Sequence, residues 1–98
     1  MIGPSEGAEG GGKFPVGSLF ATRLALSVLA EGEILLALGR HMHGDWGDVD
    51  RDDWEANERA LVDGSRLFSV YHGKNGEKFY IITEADRSST SILLAHEY

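Results

Sequence analysis

Between Arg66 and Thr83 the chain reads RLFSVYH, GKNGE, KFYIIT. Two runs rich in aromatic and β-branched residues flank an Asn-Gly pair. That pairing is the strongest short-range signal for a hairpin, because Asn and Gly accept the left-handed backbone that a tight primed turn needs. A third run, Ser91 to Ala95 (SILLA), follows a polar turn at Ala85 to Ser89. The last third of the chain is therefore expected to be a three-stranded antiparallel meander. Such a sheet must bury one face, and the residues before it have to supply the cover.

Those residues read as helices. Thr22 is a good N-cap. Leu24, Leu26, Val28 and Leu29 support a short helix that Gly32 can end in a left-handed conformation. Ile34, Leu35, Leu38 and Met42 continue at helical spacing as far as Gly44. This pattern fits two short helices or one helix broken at Gly32. Asp50 is a candidate N-cap for a third helix over Arg51 to Asp63, with Trp54, Leu61 and Val62 as its buried stripe and Gly64 just past its end. Upstream, Phe14 to Ala21 (FPVGSLFA) fits a short edge strand, since Pro15 does not suit a central one. The expected fold class is α+β, with two or three short helices packed on the meander and an optional N-terminal edge strand.

The 98 residues are enough for one domain with one modest core. Met1 to Lys13 contains five glycines and little to bury, so it is expected to be a disordered leader before a domain at 14–98. It lacks the basic start and apolar centre of a signal peptide. The longest apolar run, Ile34 to Leu38, is far short of the about 20 residues that cross a membrane. There is no cysteine, which excludes disulfides, thiolate metal sites and cysteine nucleophiles. These features suit a soluble cytoplasmic protein.

The net charge of −7 is concentrated in Gly44 to Glu58 (GDWGDVDRDDWEANE). Asp45, Asp48, Asp50, Asp52, Asp53, Glu55 and Glu58 stand there against Arg51 alone, a local −6. Both tryptophans, Trp46 and Trp54, lie in the same stretch. An acidic protein is a poor direct binder of nucleic acid and a natural partner for a basic protein surface. Some of the acids also have a plain role at a helix start, where the dipole favours anions. Trp54 has the better helical stripe and reads as core. Trp46, close to two glycines, fits core or surface.

Three constellations touch on chemistry. His41-Met42-His43-Gly44-Asp45 has the H-x-H-x-D spacing that opens the metallo-β-lactamase ligand motif, but Trp46 stands where that motif has a final His and the chain is too short for that fold. Asp48-Val49-Asp50-Arg51-Asp52 matches the start of an EF-hand loop, yet Asp53 replaces its Gly and Arg59 its bidentate Glu. Thr83 to Thr90 (TEADRSST) holds Glu84 and Asp86 as an acid and base pair and Arg87 as an anion holder, or a turn whose side chains bond the local backbone.

The strings Gly44 to Gly47 (GDWG), Asn57 to Leu61 (NERAL) and Ile81 to Thr90 (IITEADRSST) resemble a family of small bacterial proteins often encoded near plasmid or other mobile-element genes. The resemblance runs from about Phe14 to Tyr98 and brings no catalytic assignment onto any residue. It implies a mobile-element accessory role.

Together these readings predict a small acidic, non-catalytic protein-binding module. Its sharper form is an anti-defence inhibitor that mimics a phosphate backbone. The expected binding residues are Asp45, Trp46, Asp48, Asp52, Asp53, Glu84, Asp86 and Arg87. The expected partner is a basic protein, with no cofactor, no direct nucleic-acid contact and no membrane. A homodimer formed by pairing an edge of the meander stays open. The alternative is a small metal-dependent enzyme using His41, His43 and Asp45, or the Glu84–Arg87 turn.

Overall fold

The period-2 runs at the C-terminal end become the sheet. A computed structural model describes residues 12–98. Residues 1–11, most of the expected leader, lie outside the described residues. The meander comprises β2 (Leu67–His72), β3 (Lys78–Thr83) and β4 (Ser89–Leu94), each antiparallel to the next. Gly76, in the β2–β3 turn, has φ +84°, the left-handed conformation for which glycine is suited. The sheet has a fourth strand, β1 (Ser18–Ala21), which pairs in parallel with β4, so the order is β1-β4-β3-β2. The sheet is therefore mixed and not wholly antiparallel. The expected N-terminal edge strand is present in the second half of its predicted span.

Three helices precede the meander among the described residues: α1 (Arg23–Val28), α2 (Glu31–Met42) and α3 (Arg51–Asp63). Thr22 caps α1 by accepting the Ala25 N–H at 3.0 Å, as its position predicts. The break between α1 and α2 falls at Leu29–Ala30, not at Gly32, which lies inside the first turn of α2. Glu33 reaches back to accept the Ala30 N–H at 3.1 Å, so a carboxylate, not a glycine, marks this boundary.

One sheet face carries Leu67, Ser69 and Tyr71, then Phe79, Ile81 and Thr83, then Thr90, Ile92 and Leu94, all buried. Ala25 and Leu29 from the α1 region, with Ile34, Ala37 and Leu38 from α2, pack onto it. A second cluster joins Trp46, Ala60 and Leu67, with Phe14, Val49 and Leu61 against it. Lys13, within the expected leader, already donates its N–H to the Met42 carbonyl at 2.8 Å.

The third helix departs from the expectation that all helices cover one face. It lies along the free edge of β2. The Asn57 side chain donates to the Phe68 carbonyl at 2.8 Å and accepts the Phe68 N–H at 3.0 Å, as a neighbouring strand would. One step further along, Val70 donates to the Trp46 carbonyl at 3.1 Å and accepts the Asp48 N–H at 2.7 Å. These bonds close the β2 edge with a loop and one amide, which removes a template for edge-to-edge association.

Candidate functional site

The acidic stretch splits into a loop, 44–50, and α3. The loop is held by its backbone. Gly47 has φ +75°, and a Cβ there would meet the Val70 carbonyl oxygen at 2.0 Å, so only glycine lets the loop lie against β2. Asp45 folds back onto α2. Its carboxylate accepts from Arg40 Nε at 2.8 Å and Nη2 at 3.3 Å and from the Gly47 N–H at 3.2 Å. The Arg40 guanidinium beside it holds the Asp45 carboxyl below the usual range. Arg40 also lies 4.8 Å from the centre of the Tyr71 ring, and the Tyr71 hydroxyl donates to the Asp45 carbonyl at 2.6 Å. Asp48 lies 2.8 Å from His72 Nδ1. Asp50 caps α3 by accepting the Asp53 N–H at 2.8 Å, and Gly64 ends it at φ +81°.

The two tryptophans exchange the roles that helical periodicity suggests. Trp46 is 0% exposed, so its ring offers no surface to a partner. It stacks on Phe14 at 6.2 Å, meets His41 edge-on at 5.7 Å and donates its indole N–H to Glu58 at 2.8 Å. Trp54 is 37% exposed and Val62 is 89% exposed, so neither forms the buried stripe of α3. The helix needs little burial because Asn57, Ala60 and the half-buried Leu61 dock it. Glu58 adds its bond to the Trp46 indole, and the remaining positions are exposed.

Of the expected binding residues, Asp52 and Asp53 sit on the exposed first turn of α3. Asp45 and Asp48 are engaged by Arg40 and His72, and Trp46 is buried. The other three, Glu84, Asp86 and Arg87, lie in the β3–β4 turn. Asp86 accepts the Ser88 N–H at 3.0 Å, which closes the turn. Arg87 has φ +60° and points inward to donate to the carbonyls of Ser65 at 2.6 Å, Glu84 at 3.1 Å and Ala60 at 2.9 Å. Its Nη1 and Nη2 groups are thus engaged with the end of α3 and with its own turn. Glu84 is exposed.

The His-x-His-x-Asp spacing does not assemble. His41 is fully buried, His43 bonds the Gly39 carbonyl through Nδ1 at 2.8 Å, and Asp45 faces Arg40. Among the described residues no three His, Asp or Glu side chains converge as metal ligands would.

A polar network through His41 was not legible in the sequence. His41 Nδ1 lies 2.6 Å from Ser69 Oγ and Nε2 lies 2.9 Å from Thr83 Oγ1. Thr83 Oγ1 lies 2.7 Å from Thr90 Oγ1, and Thr90 donates to the Val16 carbonyl at 2.8 Å. Each hydroxyl has one hydrogen. Thr90 uses its own on Val16, so Thr83 must donate to Thr90. Thr83 then accepts from His41 Nε2–H, and Ser69 donates to Nδ1. The chain of bonds selects one neutral tautomer. Burial, and then the charge of Arg87, lower the His41 pKa to about 4. With every partner satisfied internally, this is a core network tying α2, the sheet and the N-terminal segment together.

Compared with protein families, with curated proteins and with solved structures, the chain matches none. Among the described residues, no helix is long and apolar enough to cross a membrane.

Proposed function

We propose that this chain is a non-catalytic protein-binding module of the cytoplasm and that α3 is its recognition element. The observation that carries the reading is the exposure of α3. It lies on the outside of the molecule, anchored by Asn57, Ala60, Leu61 and the Glu58 bond to the Trp46 indole. Its free surface combines Asp52, Asp53 and Glu55 with an exposed Trp54 and a nearly bare Val62. From Arg51 to Asp63 the sequence carries five acids and two bases, a net −3. Arg51 is 3.4 Å from Glu55 and offsets part of that charge. An aromatic and an aliphatic anchor framed by carboxylates suits a basic surface with an apolar pocket. Charge would steer the encounter, and Trp54 would supply most of the affinity.

This face does not include Trp46, which is buried, and Asp45 and Asp48 keep exposed side chains in the preceding loop, paired with Arg40 and His72. The sharper form of the reading makes the partner a nucleic-acid-binding defence protein, blocked in place of its nucleic acid, with the chain as a mobile-element accessory. Its support is the net charge and the family resemblance.

The test is a capture experiment with the full chain, using wild type, Trp54→Ala, and Asp52→Asn with Asp53→Asn. The expected result is a basic partner that is lost with Trp54→Ala and elutes at lower salt from the double variant. Duplex DNA should displace that partner if the sharper form holds. Capture unchanged in both variants would refute α3 as the recognition element.

A further inference from the structure

The two edges of the sheet are unlike. The β2 edge is closed by Asn57 and by the 46–48 loop, and the far edge of the meander, β4, is taken by β1. Both edges of the meander are thus occupied, and a dimer built on either is blocked. Among the described residues, the open edge belongs to β1. Ser18 and Thr22 donate their N–H groups to the Ser88 and Ile92 carbonyls at 3.0 Å, which fixes the alternation of the parallel ladder. The N–H and C=O groups of Leu19 and Ala21 therefore point away from β4, and no described residue pairs with them. The side chains agree. Leu19 is 51% exposed and Phe20 58% exposed, and Leu26 on the following helix is also exposed. From Gly17 to Ala30 there is no acid, and Arg23 is the one charge.

We propose that β1 pairs antiparallel with β1 of a second copy of this chain about a two-fold axis at Phe20, joining two sheets into one. The strand is self-complementary in this register. Leu19 lies opposite the partner's Ala21, and Ala21 opposite the partner's Leu19, so all of the outward N–H and C=O groups are satisfied. Phe20 lies opposite its own mate at a non-hydrogen-bonded position, where Cα atoms approach to about 4.5 Å and aromatic pairs stabilise a ladder. Charge selects the same geometry. A molecule of net −7 repels its copies. The β1 strand carries no acid of its own and lies at the opposite edge of the sheet from β2, which lets two copies meet with their acidic helices apart. Glu97, bonded to Thr22 Oγ1, is the acid beside it. An isologous contact closes after two copies and leaves no further edge. The proposal is independent of the role given to α3.

The test is sedimentation of the full chain across a dilution series, with amide hydrogen exchange on the same samples. Wild type is expected at twice the chain mass at about 100 μM, since interfaces of this small class are weak. The Leu19 and Ala21 amides should lose protection on dilution. Leu19→Pro removes an outward N–H, a position where an edge strand tolerates proline, and is expected to be monomeric throughout. Phe20→Lys, on an exposed side chain, should give the same loss without touching the backbone, and Leu36→Lys on exposed α2 should still dimerise. Wild type that stays monomeric overturns the proposal, as does a dimer that survives both β1 variants. Leu19 and Ala21 amides protected in a monomer at every dilution would place another segment of the chain on this edge, and that too overturns it.

Discussion

Acid should unfold this protein through His41 before it does so through the carboxylates. The imidazole is enclosed, neutral and held in one tautomer by Ser69 and Thr83. A second proton would have no acceptor unless Ser69 turned its hydroxyl away, and the Arg87 charge opposes it. The unfolded chain binds that proton with an ordinary pKa of 6.5, whereas the folded chain binds it only near pH 4. Between these values the unfolded state holds more protons, so stability falls as pH falls. The contribution is fully present above pH 6.5, is lost progressively toward pH 4, and does not change below that. At about 1.4 kcal/mol per pH unit between 6.5 and about 4, it amounts to about 3 kcal/mol, most of which should be lost between pH 7 and 4.5. Asp45, Asp63, Asp86 and Glu33 have lowered pKa values, so their contributions are lost mainly below their unfolded values of 3.8 and 4.5. The window from 6.5 to 4.5 therefore isolates His41 from them. Urea unfolding followed by tryptophan fluorescence reads it, because Trp46 sits 5.7 Å from the imidazole. A His41→Gln variant should be less stable at pH 7 but flatter across the window. A wild-type loss below about 1 kcal/mol, or an unchanged slope in the variant, would refute the assignment.

The remaining predictions concern packing and edges. Trp46→Ala should cost about 3–5 kcal/mol, as for a buried Trp, while Trp54→Ala should cost under about 1 kcal/mol; urea midpoints compare them, and equal costs would contradict the exchange of roles. Asn57→Ala strands the Phe68 N–H and C=O at the β2 edge and should cost about 1–3 kcal/mol, with faster exchange of the Phe68 amide as its specific mark. Gly47→Ala drives a Cβ onto the Val70 carbonyl and should destabilise by more than the about 1 kcal/mol of an ordinary backbone penalty, with loss of Val70 amide protection.

What was legible in the sequence is what neighbouring residues decide. The Asn75-Gly76 pair and the flanking β-branched runs led to β2 and β3 with their turn between them. Asp50 and Gly64 bracketed α3 correctly because a cap acts within a few residues of itself. The boundary of α1 and α2 was misplaced because Gly32 is a stop signal only in a left-handed conformation, and here Glu33 had already set the helix start at Ala30. Three signals that failed depend on contacts far along the chain. The parallel pairing of β1 spans about seventy residues, from Ser18 to Ser89, and no local period encodes it. Trp46 is core because Phe14, His41 and Glu58 come to it from three other places, which a loop flanked by glycines does not announce. His41 looked like a metal ligand from its spacing to His43 and Asp45, but Ser69 and Thr83, far downstream, decide its role.

The acidic stretch illustrates the same division at the level of function. Local charge identified the region, and tertiary contacts sorted its members. Asp45, Asp50 and Glu58 each serve a donor nearby: Arg40, the first turn of α3 and the Trp46 indole. Their charge is committed to building the loop that closes β2. Asp52, Asp53 and Glu55 carry no such duty to the core, and they stand on a helix most of whose surface is exposed. Asp52 and Asp53 fill the first turn of α3, where the helix dipole favours anions, so folding alone accounts for their placement. Trp54 is partly covered and Val62 nearly bare. What remains for the proposed recognition role is Glu55, Trp54 and Val62, whose surface the fold leaves exposed.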